Sequence, residues 1–528
     1  MELKSKRIVW LAGAVACALL LLLPFLFLFG GWSTNDPSGW NNLRSTVLGE
    51  YTMNTLVVMT GVGFLSLLLG GGFAILTSLY DFPLRRFFSI ALLLPLALPS
   101  YIAAYAFSGF FEFTGPLDLI GRSIGQNGWH LDFMHRGGLI LVLSLVLYPY
   151  VFATSRVALQ SRYNSYLESA RSLGLSNRKV ISKVVLPLLR PALAGGVFLV
   201  IMEVLNDYGA MKYFGVPTYT MGIFRAWFAM GDLASAVRLA LMLFALVAVL
   251  ALLEGWYNRK NKVTESHRSR PLQRLKLDGS TAVLATGLSV TLFSIAFVMP
   301  VVYLLWLLTG ADLGRAASEW ATLSANSLKT ALIATVVIIG LVVFTQFVRL
   351  LVKTPLAFAV GKSISLGYSL PGAIIAVGIL MLSAFTDRST ATLGVVLSGG
   401  FTMLIFAYTI RFSGVAYQPL HAESEKRSAR MFEAGQSLRM KPWRLLHKIY
   451  LPLSLPGIRL AAILVMIDML KELPLTLILR PFNFSTLATK AFEYADDEML
   501  ARAALPALSV IAVGLIPVLL LHRILRTE

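Results

Sequence analysis

Five ionisable residues stand in or beside long apolar runs, where charge is least expected: Glu203, Asp207, Asp468, Lys471 and Glu472. A charge there is costly and usually faces a partner or an aqueous cavity. The carboxylates of Asp207, Asp468 and Glu472 would suit a hard cation, which prefers oxygen ligands. Equally, Lys471, Glu472 and Arg480 suit ion pairs that hold helices together. The residues recur in register: at one common spacing, Glu203 answers Asp468, Asp207 answers Glu472 and Arg225 answers Lys490. An acidic run, Glu493, Asp496, Asp497 and Glu498, can attract cations or simply face solvent. The six histidines show no metal-ligand spacing, so no metal ligand is assigned. No His-Glu-x-x-His or Gly-x-Ser-x-Gly pattern supplies a nucleophile or base, and no catalytic residue is expected.

The elements that must position these charges follow from composition. With 57% apolar and 14% charged residues in 528, the chain cannot hide its apolar surface in a water-soluble core. It reads as an all-α polytopic membrane protein. The net charge of +19 would suit nucleic acid, but the Lys and Arg residues cluster in short loops between apolar runs, so nucleic acid is excluded as a partner and the lipid bilayer takes its place. The single cysteine, Cys17, rules out an intrachain disulfide. The first run, 8–29, is too long for a signal-peptide core and lacks a clear cleavage site, so it is expected to remain as a span.

About twelve spans are expected, at 8–29, 54–79, 88–110, 138–155, 191–209, 237–257, 281–309, 327–350, 364–384, 392–411, 456–475 and 503–522. The basic loops fall on one side, which places that side and both termini in the cytoplasm. Two six-helix halves result, 1–257 and 281–528, joined by a polar cytoplasmic linker, 258–280. Pro99 and Pro371 sit at matching places in the third and ninth spans, where a missing backbone donor bends a helix.

Each half also carries a polar segment outside the bilayer, 156–190 and 412–455. Glu168-Ser169-Ala170, Gly174 and Val184-Val185-Leu186-Pro187 in the first are answered by Glu433-Ala434-Gly435, Arg439 and Ile449-Tyr450-Leu451-Pro452 in the second. The pattern predicts a helix, a turn at Gly174, and a second helix capped by Ser176 and broken at Leu186-Pro187. Arg439 lacks the conformational freedom of glycine, so the second turn is expected to be built differently, with Pro442 opening the next helix. Two such segments at one spacing would offer two equivalent docking surfaces to a two-fold partner.

These segments resemble the cytoplasmic loop motif of permease subunits of ABC importers, in which Glu-Ala-Ala, Gly and Leu-Pro recur at fixed spacing. Glu168, Ala170, Gly174, Leu186 and Pro187 fit it in the first copy. In the second, Glu433, Ala434, Leu451 and Pro452 fit, and Arg439 replaces the Gly. The stretches Asn206-Asp207-Tyr208-Gly209 and Lys471-Glu472-Leu473-Pro474 resemble fused permeases for ferric iron, and the similarity covers nearly the whole chain. The resemblance implies a type I importer permease in a bacterial inner membrane, with the ten loop residues named above coupling it to two ATP-binding cassette subunits. A soluble binding protein would deliver ferric iron at the outer face, and Glu203, Asp207, Asp468, Lys471 and Glu472 would lie near its path. ATP and Mg would sit on the partner ATPase, and this chain would bind no cofactor of its own. Gly361-Lys362-Ser363 is no phosphate loop, since Leu356 stands where the first Gly belongs. Thiamine, phosphonate, sulfate or polyamine permeases share the architecture, and an ion-coupled secondary transporter is the alternative from another class.

Overall fold

In a bilayer no water satisfies exposed backbone groups, so an apolar run of membrane length folds as a helix. The computed structural model describes every residue except 1, 32–36, 126–128, 163–169, 171, 174, 261–273, 391–397, 425–428, 439 and 527–528. Among the described residues, ten helices are long and apolar enough to cross a membrane: Ile8–Gly30, Leu48–Leu79, Arg136–Leu159, Ile181–Asn206, Leu233–Tyr257, Ser280–Leu308, Ala317–Val352, Gly372–Ser389, Pro442–Leu470 and Leu500–Leu519. A bent pair, Arg85–Ala97 and Ser100–Ser123, meets at 98° and makes an eleventh if it forms one broken span. Of the tenth expected run, 392–411, the described part holds a helix, Phe401–Glu423, in which Arg411, Gln418 and several hydroxyl residues dilute the apolarity.

The residues group into two compact units, each drawing on both sides of the 258–280 segment: 44–222, 243–316 and 491–528 form one, and 1–43, 223–242 and 317–490 the other. The first unit is built on the Leu48–Leu79, Arg136–Arg162 and Leu186–Asn206 helices. Their backbones approach closely at Gly70, where an added Cβ would stand 2.6 Å from the Tyr148 carbonyl oxygen, and at Gly196, where it would stand 2.8 Å from Val151 Cα. Small residues at such crossings are how membrane helices gain packing without help from water. In the second unit the Phe401–Glu423 helix packs along Leu451–Leu470, and the N-terminal helix packs along Gly372–Thr390.

The helix is interrupted at both expected prolines, and the local geometry is repeated. A 3₁₀ turn, Leu94–Ala97, leads into extended Leu98 and then Pro99; Leu366–Ser369 leads into extended Leu370 and then Pro371, position for position. The step from Pro99 to Pro371 is longer than the step from Glu168 to Glu433, so fewer residues separate the bend from the coupling segment in the second half than in the first.

Two spans start earlier than hydropathy suggests. The fifth, expected over 191–209, runs from Ile181 to Asn206, and the eleventh, expected over 456–475, runs from Pro442 to Leu470. Neither Pro187 nor Pro452 breaks its helix. A π turn, Ile181–Val185 or Leu446–Tyr450, stands immediately before the Leu-Pro pair, and Val185, Leu186, Tyr450 and Leu451 keep right-handed helical angles. The wider turn accommodates the proline ring and its missing donor.

The far end of the linker is tied down by a two-residue parallel pairing of Leu275–Lys276 with Tyr80–Asp81, next to the end of the Leu48–Leu79 helix.

Candidate docking loops and buried polar site

Glu168, Gly174 and Arg439 lie outside the described residues, but the bonds that flank them are repeated in the two loops. Leu175 N donates to the Ala170 carbonyl at 3.2 Å and Val180 N to the Ser176 carbonyl at 2.9 Å. At the equivalent positions of the second loop, Met440 N donates to the Gly435 carbonyl at 3.2 Å and Leu445 N to the Lys441 carbonyl at 3.1 Å. The π turns and the helices that follow keep the same register. The different construction expected of the second turn is thus not seen in its flanking bonds, and Pro442 opens the next helix as anticipated.

Gly435, a departure from the motif, has a steric reason. A Cβ there would stand 2.6 Å from both Leu445 Cδ2 and Ile449 Cδ1. Its counterpart Ala170 is buried among Leu79, Leu159, Val180, Val185 and Leu189. A small residue at this position lets the returning helix close over the turn. The second loop seats on Phe347, whose ring meets Phe432 at 5.7 Å and Tyr450 at 5.8 Å. Glu433 and Ala434 are exposed, and Glu433 Oε1 pairs with Lys353 Nζ at 2.5 Å. Leu186 and Pro452 are also exposed, while Pro187 and Leu451 are half-buried.

At the tip of each turn stands a leucine that the motif does not include. Leu173 is 81% exposed, and Leu438, its counterpart in the second loop, is 77% exposed. One exposed leucine needs no explanation, but two at equivalent turn tips mark matched apolar contact points. Their position one residue before Gly174 and Arg439 was the available sequence signal.

The buried carboxylates also act as a pair of repeats. Asp207 follows the last residue of the Leu186–Asn206 helix, and its Oδ1 accepts from Ala210 N at 2.9 Å. Glu472 stands two residues beyond the Leu451–Leu470 helix, and its Oε1 accepts from Leu475 N at 2.9 Å. Each thereby caps the short helix that continues the chain, Gly209–Tyr213 or Pro474–Leu479. Asp207 also bonds the side chain of Ser100, at the start of the helix beyond the Pro99 bend.

Glu472 meets a buried cation. Its Oε2 lies 3.2 Å from Arg411 Nε, and Arg411 Nη1 donates to the Leu370 carbonyl at 3.1 Å. The sequence suggested ion pairs among Lys471, Glu472 and Arg480; the structure adds Arg411, from the Phe401–Glu423 helix, as a partner of Glu472, and Arg480 donates to Ser485 Oγ at 3.1 Å. Asp468 is half-buried within the electrostatic reach of Lys471, Arg411 and Glu472. Lys471 is half-buried beside this pair, and Glu203 is half-buried on its own helix. Among the described residues no group of three His, Cys, Asp or Glu side chains is arranged to hold a metal ion. Capping and ion pairing already engage Asp207 and Glu472, so they work first as joints between helices.

Two further bonds recur that sequence reading missed. Asn54 Nδ2 donates to the Pro217 carbonyl at 3.0 Å, and Thr55 Oγ1 accepts from Tyr219 N at 3.1 Å. Asn326 Nδ2 donates to the Ser485 carbonyl at 3.2 Å, and Ser327 Oγ accepts from Leu487 N at 2.8 Å. The signal was present as Asn54-Thr55-Leu56 and Asn326-Ser327-Leu328. These side chains staple the segment beyond each of those short capped helices to an earlier helix.

In the first unit a cavity of about 540 Å³ is lined by Glu112, Asp132, Lys212, Tyr213, Asp496 and Glu498 among others. Asp496 is taken up by Lys212 at 2.5 Å. Burial, then Glu112 and Glu498, push the Tyr213 phenol up to about 12, so it remains protonated at neutral pH. Part of the acidic run therefore lines a cavity instead of simply facing solvent.

Residues 66–263 match the family model described as "Binding-protein-dependent transport system inner membrane component". The chain is 24% identical over 481 residues to an Fe(3+)-transport system permease protein of Haemophilus influenzae, covering 90% of each sequence. It is 26% identical over 217 residues to a probable sulfate transport system permease protein of Nephroselmis olivacea, 40% of this chain and 74% of that one. With the sulfate transport system permease protein of Salmonella typhimurium it shares 27% over 199 residues, 37% of this chain and 69% of that one.

Proposed function

We propose that this chain, which across residues 66–263 belongs to the family of binding-protein-dependent transport inner membrane components, forms the translocation pathway of an ABC importer for ferric iron. The observation that carries the docking part of this reading is the repeat of the two loops. They share a main-chain bonding pattern, a π turn and an exposed leucine at each tip, all in one register. In this reading 156–190 and 412–455 each receive one ATPase subunit on the cytoplasmic side. ATP and Mg stay on those subunits.

The loops are suited to transmit force. Each turn passes through its π turn into a span without a break, so displacement of Leu173 or Leu438 moves the Leu186–Asn206 or Leu451–Leu470 helix as a lever. Those levers end at Asp207 and Glu472, whose capping bonds join them to the helices beyond. Rocking of helices about such joints is the general way a transporter alternates access. Binding-protein delivery at the opposite face of a bacterial inner membrane completes the reading.

Ferric iron is supported by similarity to an iron permease along 90% of the chain, whereas the sulfate permeases match over about 40% or less. Uptake of radio-iron and of radio-sulfate is compared in cells lacking the chain and in the same cells complemented with it. Iron uptake restored by the chain supports the assignment. Restoration of sulfate uptake alone moves the cargo to the oxyanion and leaves the docking architecture in place.

A further inference from the structure

Four guanidinium groups meet where the Leu48–Leu79 helix ends. Arg85 donates through Nε to Asp81 Oδ1 at 2.9 Å and through Nη1 to the Thr77 carbonyl at 3.3 Å. Arg156, buried near the end of the Arg136–Arg162 helix, donates to the Ser89 carbonyl and feels the charges of Arg85 and Arg274. Arg274 is drawn into the group because the Leu275–Lys276 strand lies along Tyr80–Asp81, with Leu277 N donating to the Asp81 carbonyl at 2.9 Å. Arg86 is exposed and adds its charge beside Arg274. Asp81 is the carboxylate that pairs with Arg85 and bears on Arg274.

Among the described residues, four positive charges here stand against the one negative charge of Asp81, an excess of positive field. Partial burial and then Arg85 press the Arg274 guanidinium pKa downward, Asp81 opposes this, and Arg86 adds to the repulsion. The parallel pairing nevertheless anchors the linker at this place. An anion resting between the groups would relieve the repulsion, and a phosphate matches the fork geometry of arginine.

The surroundings identify the source of that phosphate. Leu84, held at φ 60°, is 64% exposed, and Phe87 is 49% exposed, on either side of the Arg85-Arg86 pair. Apolar side chains beside guanidinium groups at the end of an apolar helix suit the boundary between headgroup and acyl chain. A free phosphate would have no use for Leu84 or Phe87.

We propose that Arg85, Arg86, Arg156 and Arg274 bind the phosphate of an anionic membrane lipid whose acyl chains lie over Leu84 and Phe87. The site fastens the linker to the membrane surface, and it does not depend on which solute the chain carries.

The test is native mass spectrometry of the purified full chain supplied with phosphatidylglycerol or with phosphatidylcholine. The variant carries Arg86→Gln and Arg274→Gln, which leaves the Arg85–Asp81 and Arg156–Ser89 bonds in place. Phosphatidylglycerol retention is expected to fall by about tenfold or more. Phosphatidylcholine retention and the unfolding temperature in detergent alone should stay as in the parent. An Arg444→Gln control, on the second loop, should retain phosphatidylglycerol like the parent. Equal retention by the double variant, or an equal loss in the Arg444→Gln control, would overturn the proposal. Displacement of the lipid by inorganic phosphate at a similar concentration would make it a free-phosphate site and overturn the lipid assignment. Unchanged lipid retention with loss of a co-purifying ATPase would assign the cluster to a protein surface instead.

Discussion

Glu472 Oε2 and Arg411 Nε stand 3.2 Å apart, with side chains 5% and 7% exposed. Breaking a buried pair by removing one partner leaves an uncompensated charge and costs about 3–5 kcal/mol, whereas removing both costs much less. Arg411→Leu and Glu472→Gln should each lower the thermal stability of the purified chain in detergent, and the double variant should recover most of the loss. Additive losses in the double-mutant cycle would show that the two groups do not interact.

Asp207 occupies the equivalent position and caps Ala210 N. Asp207→Asn keeps an acceptor oxygen, so its cost should be no more than about 1 kcal/mol. The same unfolding assay is expected to rank it well below Arg411→Leu. A loss as large as that of Arg411→Leu would point to a charge partner for Asp207.

Asn54 does two things at once: it donates to the Pro217 carbonyl and accepts from Arg136 Nη1 at 3.0 Å. For Asn326 the corresponding donation is to the Ser485 carbonyl. Each polar group left unsatisfied costs about 1–3 kcal/mol. Asn54→Leu should therefore destabilise more than Asn326→Leu in thermal unfolding, and the reverse order would contradict this account of the staples.

Crowding at Gly435 predicts a graded series. In Gly435→Ala the new Cβ meets only side-chain tips, Leu445 Cδ2 and Ile449 Cδ1, which can shift, so a loss of about 1–2 kcal/mol is expected. Gly435→Val adds branched bulk at the same place and should prevent the loop from closing. Limited proteolysis reads this out: cleavage within 429–445 should rise sharply for Val and little for Ala. Equal protection of the two variants would mean that the turn does not need a small residue.

What could be read from the chain alone was local or repeated. Apolar runs gave the helices, Pro99 and Pro371 gave the bends, and the loop motif stood out because it recurs at one spacing. The starts of two spans were misread because Pro187 and Pro452 look like breakers, and nothing in their immediate sequence announces the π turns that absorb them. Arg411 was missed as the partner of Glu472 because the two lie on different helices, and no periodicity connects them. The match of Asn54-Thr55 with Asn326-Ser327 was obscured because it keeps the wider spacing of the proline bends, not that of the loops. Leu173 and Leu438 were overlooked because one exposed leucine carries no signal until its counterpart is seen.

The most direct measurement is the stoichiometry of the complex purified with its ATPase, read by native mass spectrometry for the parent, Leu173→Asp, Leu438→Asp and the double variant. Because both leucines are exposed, these changes should leave the stability of the isolated chain within about 0.5 kcal/mol. The account predicts two ATPase subunits on the parent chain, one firmly held subunit on each single variant, and none on the double variant. Two subunits retained on the double variant, or no ATPase on the parent chain, would contradict the claim that the repeated loops are docking surfaces.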